Sequence, residues 1–332
     1  MNALFASLIV GVLAVWQVSP RVPAPQPINA RAIDSVAAQL ADSGFAGVVL
    51  VASGGKVLFR KSYGPASHVN GFADSFWIGS MTKGFTAAAI LRLQEQKRLS
   101  LSDSIGRFFP AAPPEKRGIT VRQLLIHTSG IDGSYSGGGI TTRDSVVKVI
   151  LSRPMSSRPG THYRYMDDDY ELLAAITEVA SRISWESYVK RELIDRSGLR
   201  HTSFTHNGDW GHKGANGMSS TADDLLMWVD ALKNGKVLSA NDAKALTSGQ
   251  IYVRNERGED IYYGYGVRVY ESQGRTLEVM HSGSSDEGNT VIARVLADGT
   301  TIIVLSSSGE HAGTTWSSYV ARKLPIDFRR RN

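Results

Sequence analysis

Strand-forming runs lie at both ends of this chain and helix-forming segments lie between them, which limits the folds open to it. Gly47 to Ala52 and Val57 to Tyr63 are β-rich and joined by Ser53-Gly54-Gly55-Lys56, a hairpin signal. Beyond Ile251 strand character returns, with a meander expected over Tyr265–Tyr270, Thr276–His281, Asn289–Leu296 and Thr301–Ser306, its last turn at Asp298-Gly299. Between these ends, Thr82–Lys97, Asp168–Ala180 and Thr221–Leu232 carry helical periodicity. Ser220 with Asp223 reads as the N-cap pair of the third of these, and Gly235 as its stop. Ala30–Leu40 reads as an amphipathic helix and Trp316–Leu324 as a closing one. The expected class is α+β: an antiparallel β-sheet formed by N- and C-terminal segments, flanked by helices, with an inserted mostly α-helical domain. The boundaries this implies are 30–100 with 236–327 for the sheet domain and 101–235 for the insert. A cleft between the two is the expected ligand site.

The N-terminus reads as an address. Leu4 to Val18 is apolar and of signal-peptide length, though residues 1–6 contain no Lys or Arg. Residues 1–18 are therefore expected to be a signal peptide or anchor, and 19–29 a linker with Pro20, Pro23, Pro25 and Pro27. The expectation is export to a periplasmic or extracellular space, with membrane contact only through residues 4–18 if they stay uncleaved.

Composition narrows the chemistry. The chain has no cysteine, which excludes disulfides, thiolate catalysis and cysteine–metal sites. A net charge of +6 is spread rather than clustered, and Arg329-Arg330-Arg331 reads as a solvated tail, so no nucleic-acid partner is expected. No HExxH-type spacing or glycine-rich phosphate loop is present, so neither metal nor cofactor is expected.

Ser-x-x-Lys occurs four times, as Ser53/Lys56, Ser80/Lys83, Ser145/Lys148 and Ser187/Lys190. Ser80 differs from the others because it follows the run Phe76-Trp77-Ile78-Gly79 and opens a helix. Residues three apart on a helix share a face, so Lys83 can reach the Ser80 hydroxyl, and a buried lysine can serve as a base. Tyr165-Met166-Asp167 follows Pro159-Gly160 and supplies a second candidate acid/base. His281-Ser282-Gly283 closes a strand, where histidine can donate a hydrogen bond or balance a carboxylate, and an edge strand can offer the Ser284 N–H to an oxyanion. Alone, each of these also fits an ordinary capping, core or surface residue.

Taken in order, Ser80-x-x-Lys83, Tyr165-x-Asp167 and His281-x-Gly283 resemble the motifs of the penicillin-recognising serine hydrolases. The resemblance is to the class C β-lactamase-like branch, with its D,D-peptidases, D-aminopeptidases and family VIII carboxylesterases. Leu124–Ile131, Arg98–Asp103, Gly217–Ser220 and Tyr263–Gly266 match connecting segments of that branch, and the likeness covers roughly residues 45 to 320. It implies a β-lactamase/transpeptidase-like fold, Ser80 as acylated nucleophile, Lys83 as activator and Tyr165 as second acid/base. The Ser80 and Ser284 N–H groups would form the oxyanion hole, and Asp167, His281, Ser282 and Gly283 would bind substrate. His127, in the Leu124–Ile131 segment, has no catalytic counterpart and is expected to shape the fold.

Two departures bear on activity. Asp167 replaces the family's usual asparagine and would hold Lys83 protonated. His281 stands where penicillin-binding members often have lysine. Asp169 also replaces a frequent glycine. The expected function is thus a serine acyl-hydrolase of a small-molecule ester, amide or D-amino-acid-type peptide. A β-lactamase or D,D-carboxypeptidase, or a non-catalytic binding homologue, are the alternatives; a metallohydrolase has no motif behind it.

Overall fold

The computed structural model describes residues 28–64, 75–133, 139–205, 208–284, 290–311 and 314–326. The expected signal segment 1–18, most of the Pro-rich linker and the terminal arginines lie outside these residues. Asn29, at the end of that linker, is the N-cap of the first helix and accepts the Ala32 N–H at 3.1 Å.

Strands from both ends of the chain form one eight-stranded antiparallel sheet. Its order is Lys56–Tyr63, Gly47–Ser53, Thr300–Ser306, Thr290–Leu296, Arg275–Ser284, Arg268–Ser272, Glu259–Tyr263 and Ile251–Glu256. Gly54 and Gly55 make the first hairpin with φ of 57° and 76°, the left-handed pair that a two-residue turn of this twist requires. The meander has two strands more than expected. Ile251–Glu256 and Glu259–Tyr263 are joined at Arg257-Gly258; the first is largely exposed, its apolar alternation limited to Ile251 and Val253.

The sheet is buried on both faces at its centre. Val48, Leu50, Ile303 and Leu305 join the core under the helical layer, while Val49, Val51, Ile302 and Val304 pack under the two terminal helices. That two-sided burial makes Gly47–Ser53 and Thr300–Ser306 read as continuous apolar runs. The helices Ala30–Asp42 and Trp316–Lys323 cover the outer face. The helix Ala222–Lys233 packs on the inner face, and the long central helix Thr82–Glu95, packed among the remaining helices, is buried over most of its surface.

The helix Ala222–Lys233 is capped one residue later than expected. Thr221 Oγ1 accepts the Asp224 N–H at 3.2 Å, because the Ser220 backbone is taken up in a strand that pairs with Phe76. Ser220 instead shares a hydroxyl–hydroxyl contact with Thr202, and Asp223 pairs with Arg60.

Candidate active site

The chain reaches Ser80 through a tight turn. Gly79 has φ +50°, and a Cβ there would fall 2.6 Å from the Trp77 ring. Residues Gly79–Met81 form a 3₁₀ turn that runs directly into the helix Thr82–Glu95. Lys83 therefore sits in the first helical turn, facing Ser80. Of the four Ser-x-x-Lys pairs it alone has a buried lysine; Lys56, Lys148 and Lys190 are exposed.

Lys83 Nζ has three acceptors: Ser80 Oγ at 3.2 Å, Asp167 Oδ1 at 2.6 Å and the Ala215 carbonyl at 3.1 Å. An ammonium has three donors, so this is the arrangement of a protonated lysine. Burial alone would lower the Lys83 pKa, but the neighbouring Tyr165 and Asp167 outweigh it and leave the group above its ordinary value. The Ala215 carbonyl is itself fixed from behind. The buried Glu171 carboxyl accepts the Gly214 and Ala215 N–H groups, each at 3.0 Å, and Thr86 Oγ1 donates to the Gly214 carbonyl at 2.7 Å. Glu171 was not visible as a site residue in the sequence, where it reads as one more polar residue on an amphipathic helix.

Asp167 opens the helix Asp167–Ser181, which packs against the Ser80 helix. Asp167, Asp168 and Asp169 fill its first turn, where the helix dipole favours negative charge. Tyr165 lies just before it and is half-buried, with Lys83 Nζ 4.9 Å from its ring centroid. Its ring is 6.4 Å from that of His281.

The strand Arg275–Ser284 brings the other half of the site. Its neighbour Arg268–Ser272 pairs only as far as Arg268 opposite Met280, so His281 to Ser284 form a local edge although the strand is interior to the sheet. Gly283 abuts the Ser80 turn. A Cβ at that position would lie 2.2 Å from the Ile78 carbonyl oxygen and 3.1 Å from the Ser80 nitrogen. Only glycine permits this approach, which sets Ser284 beside the Ser80 N–H.

His281 is buried, and its Nδ1 donates to the Ser282 carbonyl at 2.7 Å. Burial, then the charges of Arg268 and Lys83, push its pKa down to about 3, against the opposing backbone hydrogen bond. The ring is neutral with Nε2 as acceptor, and among the described residues Nε2 has no hydrogen-bond partner. Ser282 departs from the sequence expectation. Side chains alternate along a strand, so with His281 and Gly283 facing the Ser80 turn, Ser282 lines a pocket on the outer face with Met280 and Arg294. It serves the site through its carbonyl only.

His127 shapes the fold, as expected, and does so next to Tyr165. Its carbonyl accepts the Arg164 N–H at 2.9 Å and its Nδ1 accepts the Met166 N–H at 3.3 Å, so it clamps Tyr165 from both sides. The two rings are 4.6 Å apart. Asp169 Oδ2 is 3.2 Å from the same Nδ1. Burial holds His127 well below the usual histidine range, aided by the charges of Lys83 and Arg268. Burial also pushes Asp169 well above the carboxylate range, opposed by a Ser129 hydrogen bond and reinforced by Asp168. Both shifts act against an ion pair at this contact, and the one lone pair of a neutral Nδ1 is engaged by the Met166 N–H. Next to it, Asp168 is pushed up to about 6 by burial, against the pull of Arg153 at 3.2 Å.

A buried Ser–Lys pair at the start of a central helix, next to a local sheet edge and a tyrosine loop, defines a serine-hydrolase type of site. The Beta-lactamase family model matches residues 33–319, and the chain belongs to that family of serine hydrolases. It is 26% identical over 315 residues to penicillin-binding protein 4* of Bacillus subtilis (strain 168), covering 80% of this chain and 69% of that one. With PbpX of the same organism it shares 33% identity over 169 residues, half of this chain but only 43% of that protein. Among solved structures, a D-amino acid amidase from Ochrobactrum anthropi SV3, complexed with D-phenylalanine, superimposes with a TM-score of 0.74 at 18% identity. The superposition covers 89% of this chain and 97% of the amidase, and at that identity it shows the shared fold.

Proposed function

We propose that the chain hydrolyses an ester or amide, of a small ester or a D-amino-acid-type peptide, through an acyl-enzyme on Ser80. The observation that carries this is the 3.2 Å contact between Ser80 Oγ and the fully buried Lys83 Nζ, on a turn pressed against Gly283. Ser80 Oγ attacks the substrate carbonyl carbon, and the N–H groups of Ser80 and Ser284 receive the developing oxyanion. The hydroxyl proton passes to Lys83 in its amine form or to the Tyr165 phenolate, and from there to the leaving group. Water, oriented by Tyr165, then hydrolyses the ester to Ser80 and restores the enzyme. Because Lys83 is held as an ammonium, the competent form is a minor one at neutral pH.

Substrate class follows from His281. A neutral ring offering an acceptor cannot neutralise a substrate carboxylate, which favours an uncharged ester or amide, or one with a donor N–H, over a carboxylate-bearing β-lactam. The family membership supports acyl transfer on Ser80 and does not separate these substrates, since a D-amino acid amidase and a class C β-lactamase share the fold. The test is a panel of p-nitrophenyl esters, D-alanyl amides and peptides, and a chromogenic cephalosporin, with Ser80→Ala as blank. Turnover of esters or D-amides that Ser80→Ala lacks supports the reading; turnover of the cephalosporin alone contradicts the substrate class.

The Lys83–Asp167 ion pair favours one second reading, a binding protein that keeps the fold without turnover. It predicts reversible binding equal in wild type and Ser80→Ala. Export, resting on residues 4–18, remains part of the proposal and is checked by N-terminal sequencing of the protein recovered from a secreting host.

A further inference from the structure

Behind the nucleophile helix lies a second cavity. It is enclosed by the inner face of the sheet and by the helices Thr82–Glu95, Ala222–Lys233 and Ala240–Leu246, and has a volume of about 380 Å³, within the range of small-molecule sites. One wall is Phe85 stacked on Trp228 with ring centroids 4.2 Å apart. Leu246, Val267, Val279 and Val295 line much of the rest.

The cavity adjoins the acylation site, His281 lining both, and its other strand walls lie farther back. Val279 pairs with Val295 and His281 with Ala293, so these walls lie two to four residues back along the strands from Gly283, roughly 7–13 Å at strand rise. Its polar groups are few. The Thr247 hydroxyl is engaged by the Ala243 carbonyl at 3.0 Å, and His281 Nδ1 by the Ser282 carbonyl. What remains is His281 Nε2, buried and unpartnered, and two exposed lysines, Lys233 and Lys244. Among the described residues neither lysine forms an ion pair; burial of its stem lowers the Lys233 pKa, opposed by the charges of Asp230 and Asp298. An apolar chamber with two free cations at its rim matches an amphiphile with one chain and one negative end, and disfavours a cationic one.

We propose that this cavity binds a single-chain anionic amphiphile, a long-chain carboxylate, with its chain against Phe85–Trp228 and its head at Lys233 and Lys244. The occupant would touch Met81 and Gly84, on either side of Lys83, so the site is placed to sense or adjust the nucleophile turn.

The experiment is a calorimetric titration of the full chain with dodecanoate below its micellar concentration, in wild type and in Ser80→Ala. The expected result is one equivalent bound with the same affinity in both. Dodecyltrimethylammonium should bind at least tenfold more weakly. Lys233→Glu with Lys244→Glu should weaken dodecanoate at least tenfold. Ala243→Trp and Val295→Trp, each filling the chamber, should abolish binding while the cooperative thermal transition persists in at least one of them. No saturable binding, binding that survives in a folded filled variant, or no preference for the anionic head would overturn the proposal. Because binding is read without turnover, the result is independent of whether Ser80 is catalytic.

Discussion

The Lys83 ammonium lies 2.6 Å from the Asp167 carboxylate, closer than the 3.2 Å separating it from the Ser80 hydroxyl. Asparagine at this position would still accept a hydrogen bond from Lys83 without an opposing charge. The difference between the two side chains is thus the energy needed to free Lys83 of its proton. Asp167 supplies part of the field that keeps the lysine pKa high, together with Tyr165 and against the burial that would lower it.

Asp167→Asn should therefore lower the apparent pKa of the rising limb in a kcat/KM–pH profile. At neutral pH its rate should exceed wild type, by about tenfold for each pH unit the limb moves. An inactive, folded Asp167→Asn would show that the carboxylate takes part in proton transfer instead of restraining it.

The Asp169–His127 pair predicts an unusual tolerance. Burial disfavours charge on both partners, so an uncharged amide of the same shape is tolerated and Asp169→Asn should change stability by less than about 1 kcal/mol. His127→Phe leaves the buried Met166 N–H without its acceptor and should cost about 1–3 kcal/mol in urea unfolding. It should also lower kcat through looser placement of Tyr165. If Asp169→Asn is as damaging as His127→Phe, the pair is ionised.

How far these relationships could be seen in the sequence differs from residue to residue. Ser80, Lys83, Tyr165 and His281 were legible because their spacing and order are local patterns, and the structure brings them together. Glu171 and the inward role of His127 were not. Their importance comes from what the fold packs against them, the Gly214–Ala215 turn and the Met166 N–H, which lie 43 and 39 residues away in the chain. Ser282 shows the reverse: its motif neighbours point inward, and the pleat alone turns it outward. The strand Ile251–Glu256 was hidden because an apolar alternation limited to Ile251 and Val253 does not reveal its period.

His281 makes a prediction about pH. Its folded pKa of about 3 lies below the 6.5 of an unperturbed histidine, so the unfolded chain binds the extra proton. The stability this group contributes is complete above pH 6.5 and is lost as pH falls toward 3. Asp168, raised to about 6 from 3.8, acts oppositely, its contribution being lost as pH rises between those values. His281→Gln should therefore flatten the acid-side loss in denaturation midpoints below pH 6.5. In wild type, imidazole ¹⁵N spectra should show His281 as an Nδ1–H tautomer that does not titrate between pH 8 and 5. A midpoint near 6.5 in that experiment would contradict the neutral ring.

Gly283→Ala should be far more harmful than its size suggests. The added methyl meets backbone atoms of Ile78 and Ser80, not a mobile side chain, so the strand end must move away from the nucleophile turn. Separating the two oxyanion donors should cost about 10²-fold or more in kcat, with the circular dichroism spectrum preserved. Near-normal kcat would mean that the Ser284 N–H does not serve the oxyanion.

The most direct measurement is the intact mass of the full chain after exposure to a fluorophosphonate probe, followed by peptide mapping. The account predicts one adduct per chain on the peptide carrying Ser80, formed faster at alkaline pH and absent in Ser80→Ala. No adduct with the probe or with any ester, D-amide or β-lactam substrate, or an adduct that persists in Ser80→Ala, would contradict it.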